Sequence, residues 1–415
     1  MNADLIIYNI GQLVTGKELP LKDDESPMEN IEILENGYIA VSGNEIMAIG
    51  HGEVPSKLIK FITKLVDAEG CVVVPGMIDS HTHLVHGGSR ENEFLEKIQG
   101  VPYLEILKRG GGILSSVNAT RELSEEELLD KAKKTLRTML SYGVTTVESK
   151  SGYGLDSETE LKQLRVNERL NHEQEVEVVS TFMGAHALPE EYKDRREEFI
   201  QKVIDLLPVV KERDLAEFFD VFCEEGVFSI EESRQMYLEA QKYGFKLRIH
   251  ADEIVNTKGA QLAQELNMYS ADHLMAISDE GIEALKNSKT IANLLPGTSF
   301  SLGKEYAPAR KMIDQGVQVA LSTDYNPGSC PTENLQLIMQ IAALKLKMRP
   351  KEIFKAVTIN AAKSIGREKR VGSLEEGKKA DFVIFDAKNI EYILYHFGVN
   401  HTKKVFKNGC LVFKR

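Results

Sequence analysis

Apolar and polar positions follow three successive rhythms along this chain of 415 residues. Up to about residue 70 the apolar runs are short and closely spaced. Residues 4–9, 37–42 and 45–50 predict strands, with Gly43-Asn44 as a hairpin turn between the last two. The stretch 17–30 between them is charged, contains Pro20 and Pro27, and predicts an exposed loop. From Cys71 onward, strand-like runs alternate with helical ones. The run 73–84 opens the series, and 144–147, 176–183, 216–222, 245–250, 270–273, 290–295 and 317–322 follow. Ser124 with Glu127 and Ser229 with Glu232 have the spacing of capping boxes ahead of two of the helices. After about residue 365 strands return without helices, at 380–385 and 405–413, and Asn408-Gly409 is a hairpin signal.

Eight strand runs with helices between most of them predict an α/β fold, a (β/α)8 TIM-type barrel. A doubly wound parallel sheet has the same periodicity and stands as the alternative. The two β-rich ends are expected to pair as one small β-sandwich domain. The expected division is 1–70 for its first part, 71–364 for the barrel and 365–415 for its second part. A chain of this length exceeds the ~250–300 residues at which single cores stop growing.

Composition narrows the class only a little. Hydrophobic residues make up 42% and charged residues 27%, ordinary for a soluble globular protein. The net charge of -12 argues against nucleic acid and anionic membranes as partners, and means that an anionic substrate needs a local cation. Cys71, Cys223, Cys330 and Cys410 show no CxxC spacing, which points to a reducing compartment. No signal peptide and no run of ~18 apolar residues is visible, so a cytoplasmic location is expected.

Candidate chemistry collects where the barrel strands end. In a strand, residues i and i+2 share a face, so His81 and His83 project together and make half of a first-row metal site. The other reading is a pair of surface histidines. Six of the ten histidines (His81, His83, His86, His186, His250 and His273) fall at or near predicted strand ends, and Asp324 follows the eighth. The C-terminal end of the strands is where barrel enzymes carry their active sites. His81, His83, His250 and Asp324 would give three nitrogens and one carboxylate, a set suited to Zn²⁺, Fe²⁺ or Mn²⁺. The run 110–112 (Gly-Gly-Gly) lacks the rest of a phosphate-binding motif and reads as a mobile loop over the pocket.

The segment Pro75-Gly76-Met77-Ile78-Asp79 before His81-Thr82-His83, together with His250, His273 and Ser322-Thr323-Asp324, resembles the amidohydrolase superfamily. So does the return segment 372–382. The motifs His86-Gly87-Gly88-Ser89-Arg90, Glu148-Ser149-Lys150-Ser151-Gly152-Tyr153-Gly154, Phe182-Met183-Gly184-Ala185-His186 and Asp324-Tyr325-Asn326-Pro327-Gly328-Ser329 narrow the resemblance to its ring-opening members. It implies hydrolysis of 4-imidazolone-5-propanoate to N-formimino-L-glutamate, a step of histidine degradation. The alternatives are a deaminase or another ring hydrolase of the superfamily, or, outside enzymes, a degenerate metal-binding barrel.

The resemblance also implies roles. His81, His83, His250 and Asp324 would hold one zinc or iron ion. Arg90, Tyr153, His186, Glu253, Asn326, Gly328 and Ser329 would line the substrate pocket. Arg90 suits a propionate, and His186 would donate a hydrogen bond to substrate. Glu253, His273 and Asp324 would share the proton transfers. Two-metal members often carry a lysine after strand four; here that end reads Phe222-Cys223-Glu224-Glu225-Gly226, so one metal is expected unless Glu224 serves instead. A homodimer is common among similar enzymes and is expected here.

Overall fold

The computed structural model describes residues 3–22, 26–101, 105 and 111–415. Eight parallel strands follow one another in chain order around a barrel: Met77–Thr82, Val144–Lys150, Glu177–Ala185, Phe218–Cys223, Lys246–Ala251, Ser270–His273, Ile291–Leu294 and Val319–Leu321. The eighth closes on the first through the loop that follows it. There Asp324 N–H donates to His81 O (3.1 Å) and His83 N–H to Tyr325 O (2.8 Å). Most buried apolar residues of the strands and helices pack into one large core, while Ile78, Val179, Phe218, Ile291 and Ala320 of the strands form a separate cluster with Ala361, Ala362, Ile365 and Val371. The two capping boxes form as the spacing predicts, at the starts of Glu125–Ser141 and Ile230–Lys242.

Both ends of the chain build the second domain, a small β-sandwich-like sheet. Its strands Leu5–Glu18, Ile31–Ser42 and Glu45–His51 come from the N-terminal side, and Phe382–Phe385, Thr402–Lys407 and Cys410–Lys414 from the C-terminal side. Val72–Pro75 joins the halves: it pairs in parallel with the first of these and antiparallel with Phe382–Phe385. Alternation decides the packing. Val73 faces the small core, whereas Val72 and Val74 face the core shared with the barrel.

The apolar run 73–84 is therefore not one strand. It breaks at Gly76 and passes from the small sheet into the barrel. A Cβ at Gly76 would stand 2.2 Å from Thr145 Oγ1, so only glycine allows this close crossing beside the second barrel strand. Gly110, the first glycine of the triplet read as a pocket loop, lies outside the described residues. Among the described residues no helix is long and apolar enough to cross a membrane.

Candidate metal and active site

The side chains singled out at the strand ends meet at one mouth of the barrel. His81 lies in the first strand and His83 just past it, His250 in the fifth, His273 at the end of the sixth. His81, His83 and His250 form one group whose ligand atoms lie within 4.8 Å of one another; His81, His273 and Asp324 form another. Asp324 Oδ1 is 3.5 Å from His81 Nε2 and 3.8 Å from His83 Nε2. All five side chains are buried.

Two of the rings are aimed by carboxylates. His81 Nδ1–H donates to Asp272 Oδ2 (2.9 Å) and His250 Nδ1–H to Asp220 Oδ1 (3.1 Å). That fixes the tautomer, so each Nε2 turns a lone pair to the cluster, and neither Nε2 has a hydrogen-bond partner among the described residues. A buried nitrogen without a partner is costly, and a bound cation answers it. Burial, with Lys150 adding repulsion, holds His81 well below the usual histidine range. Burial and the neighbouring His186 do the same to His83. Burial also opposes protonation of His250, but the Asp220 carboxylate outweighs it and raises its pKa. The donor set fits a divalent first-row metal.

Beneath the cluster the barrel interior is ionic. Lys150 Nζ contacts Glu148 Oε1 (2.9 Å) and Asp220 Oδ2 (2.8 Å), and Arg248 Nη2 contacts Asp272 Oδ2 (3.0 Å). All five groups are fully buried. The same two carboxylates that aim the histidines are thus held from behind by cations. Sequence reasoning missed Asp220 and Lys150. The available signal was an aspartate inside Phe218-Phe219-Asp220-Val221-Phe222, because a charge in a buried strand must have a partner.

Around the cluster sit the remaining candidates. Arg90 Nε donates to Ser116 Oγ (2.9 Å). Its guanidinium lies against Gly328, where a Cβ would be 2.3 Å from Nη1. The Tyr153 ring is 5.6 Å from that of His83 and 5.2 Å from that of His186. His186 Nδ1–H donates to Gly152 O (2.9 Å), and burial lowers its pKa to about 3. The neutral ring therefore offers a lone pair at Nε2, an acceptor where the sequence suggested a donor. Asn326 Oδ1 accepts from the N–H groups of Gly328 and Ser329 (both 2.8 Å), and its Nδ2 donates to Asp324 O (2.7 Å). Its amide is spent on shaping the loop. Glu253 Oε2 is 3.6 Å from His273 Nε2. Burial, with the Asp324 charge adding, pushes the Glu253 carboxyl up to about 8. Burial likewise brings Asp324 to about 6, against a hydrogen bond from Thr298 Oγ1 (2.5 Å).

Glu224 does not face the cluster. Its carboxylate accepts the N–H groups of Ile254 (2.8 Å) and Val255 (3.2 Å), next to Glu253. Burial raises the Cys330 thiol well above its ordinary pKa, which leaves it a poor nucleophile.

Comparison with known proteins places this geometry. The amidohydrolase family model matches residues 72–412. The imidazolonepropionase of Fusobacterium nucleatum is 61% identical over 100% of both chains, and that of Alkaliphilus oremlandii 55% identical over 100% of this chain and 99% of its own. Among solved structures, a zinc-bound adenosine deaminase from Xanthomonas campestris superposes with a TM-score of 0.73 at 17% identity, covering 99% of this chain and 93% of its own. A zinc-complexed atrazine chlorohydrolase from Arthrobacter aurescens gives 0.71 at 16%, covering 99% and 95%. These two likenesses concern the fold. The barrel, the sheet built from both chain ends and the full-length identity lead to one statement: this chain belongs to the amidohydrolase family, in the group of the imidazolonepropionases.

Proposed function

We propose that this chain opens the ring of 4-imidazolone-5-propanoate with water, giving N-formimino-L-glutamate in histidine degradation. The observation that carries the reading is a cation, Arg90, beside Tyr153 and a His/His/His/Asp cluster at one mouth of the barrel, in a chain 61% identical to an imidazolonepropionase. His81, His83, His250 and Asp324 would hold one divalent ion, zinc or iron, which when bound would supply Lewis-acid polarisation of the ring carbonyl and acidify water.

The side chains divide the rest of the work. Arg90 takes the propionate as a charge-assisted pair, with the Tyr153 hydroxyl beside it. His186 accepts a ring N–H through Nε2, while Asn326, Gly328 and Ser329 form the wall against which Arg90 rests. Asp324 takes the proton released by water. Neutral His273 donates an N–H to the oxygen that gains charge as the carbonyl carbon is attacked. Glu253, protonated near neutrality, gives its proton to the departing ring nitrogen as the carbon–nitrogen bond breaks. Water is consumed, one C–N bond is exchanged for a C–O bond, and the single product keeps the propionate carboxylate and gains another.

All four cysteines are free, in keeping with a cytoplasmic enzyme. We place it there as a homodimer acting on a small anionic heterocycle. The test is a spectrophotometric assay of freshly made imidazolonepropionate with metal-reconstituted protein. Loss of the ring chromophore is expected. No loss, with ammonia released from an amino-substituted heterocycle, would establish a deaminase instead.

A further inference from the structure

The helix Ser157–Glu173 turns polar side chains towards the barrel. Glu160, Gln163 and Asn167 fall on one face, and all three are buried. An ordinary amphipathic helix would bury aliphatic residues there. Each of the three is instead bonded to the barrel side. Asn167 Oδ1 accepts from the Ser149 hydroxyl (2.8 Å), and its Nδ2 donates to Ser149 O (3.1 Å). Gln163 Oε1 accepts the Tyr153 N–H (3.2 Å), and its Nε2 donates to Val85 O (2.6 Å). Glu160 Oε1 accepts the N–H groups of Gly154 and Leu155 (both 2.9 Å), and its Oε2 that of Gly152 (3.0 Å).

Four consecutive backbone donors, residues 152 to 155, are thus consumed by two side chains of one helix. The turn they fix carries Tyr153, and its Gly152 carbonyl receives the His186 Nδ1–H. Both pocket residues therefore hang on the same anchorage. Burying a carboxylate this deeply is unfavourable unless its lone pairs are filled. Leu164, Val166 and Leu170 of the same helix already supply its apolar packing, so the bonds of Glu160 and Gln163 serve placement of the turn rather than cohesion.

We propose that Glu160, assisted by Gln163, is a positioning residue for the substrate: it holds the 152–155 turn so that Tyr153 and His186 stand ready for the ring and its carboxylate. The proposal rests on the substrate reading of Tyr153 and His186 given above. Glu160 touches neither the metal donors nor the reacting atoms, so its effect belongs to binding.

The experiment uses the full-length, metal-loaded protein with Glu160→Gln, Tyr153→Phe and the double variant. Amide exchange over the 152–155 peptide and metal content are read alongside kinetics. Expected for Glu160→Gln are faster exchange in that peptide, unchanged metal content, and a KM raised about tenfold with kcat within about threefold. The double variant should raise KM by less than the product of the two single effects, because both act through Tyr153. A KM within about twofold of wild type, or effects that multiply as independent sites, would overturn the proposal. Unchanged exchange would also overturn it. If Tyr153→Phe alone left KM untouched while exchange still rose in Glu160→Gln, the substrate reading of Tyr153 would be what failed. Should Glu160→Gln not fold, Gln163→Leu, which removes the bonds to Tyr153 N–H and Val85 O, carries the same test.

Discussion

Arg90 and Gly328 share one boundary. A methyl group at residue 328 would press on the guanidinium from 2.3 Å, and the backbone behind it is already tied to Asn326. Gly328→Ala should therefore displace Arg90 and raise KM about tenfold or more while leaving metal content unchanged. Arg90→Met should do so more strongly, since the charge itself is gone; steady-state kinetics with the propionate substrate measure both. Glu253 gives a prediction with a sign. Its carboxyl is raised from 4.5 to about 8. The folded chain then keeps a proton that the unfolded chain has released, so the stability from this group is full below pH 4.5 and is lost as pH rises through about 8. In metal-free protein the unfolding midpoint should fall between about pH 6 and about pH 8 more steeply in wild type than in Glu253→Gln. Parallel slopes in calorimetry would remove Glu253 as the buried proton holder.

The barrel strands carry their ionic layer internally, and that layer sets how an element can be altered. Lys150→Met leaves Asp220 and Glu148 without their nearest cation, with Arg248 Nε 3.9 Å from Glu148 as the remaining one. Breaking a buried pair from one side costs about 3–5 kcal/mol. A lowered midpoint in thermal unfolding of the metal-free protein is expected, together with weaker retention of metal, because Asp220 aims His250. The strands themselves were legible in sequence, since parallel strands buried on both faces read as continuous apolar runs. The capping boxes and the Asn408-Gly409 hairpin were equally plain, because local chemistry decides them. The break at Gly76 was not legible: the apolar run continues through it, and the reason for it is Thr145, far along the chain. The inward face of Ser157–Glu173 was hidden for the opposite reason, since Glu160, Gln163 and Asn167 look like a solvated face. At the site, histidines at strand ends were visible because strand periodicity places them. Their aiming carboxylates, and which nitrogen of His186 is tied to the backbone, depend on contacts between distant strands.

At the scale of the molecule, a net charge of -12 surrounds an interior in which Lys150 and Arg248 are buried. Under the proposed function, attraction of an anionic substrate rests on the local field of Arg90 rather than on the whole surface. The small domain couples the chain ends. Thr402–Lys407 covers one edge of Phe382–Phe385, whose other edge pairs with Val72–Pro75. Ending the chain after Asn400 would uncover that edge and the faces of Phe382 and Phe406's former neighbours. The truncated protein should show low soluble yield and reduced metal stoichiometry, although every histidine of the cluster is retained; normal metal loading would show that the barrel stands without the sheet.

The passage from Val72–Pro75 into Met77–Thr82 also has a meaning in time. During synthesis the strand bearing His81 emerges early, but Pro75 must wait for Phe382 before its sheet can close. At ~5–20 residues per second that wait is roughly 15–60 s. Throughout it the apolar Val72-Val73-Val74 run and the first half of the metal cluster are together without their final neighbours. Chaperone occupancy of the nascent chain should therefore concentrate on this stretch.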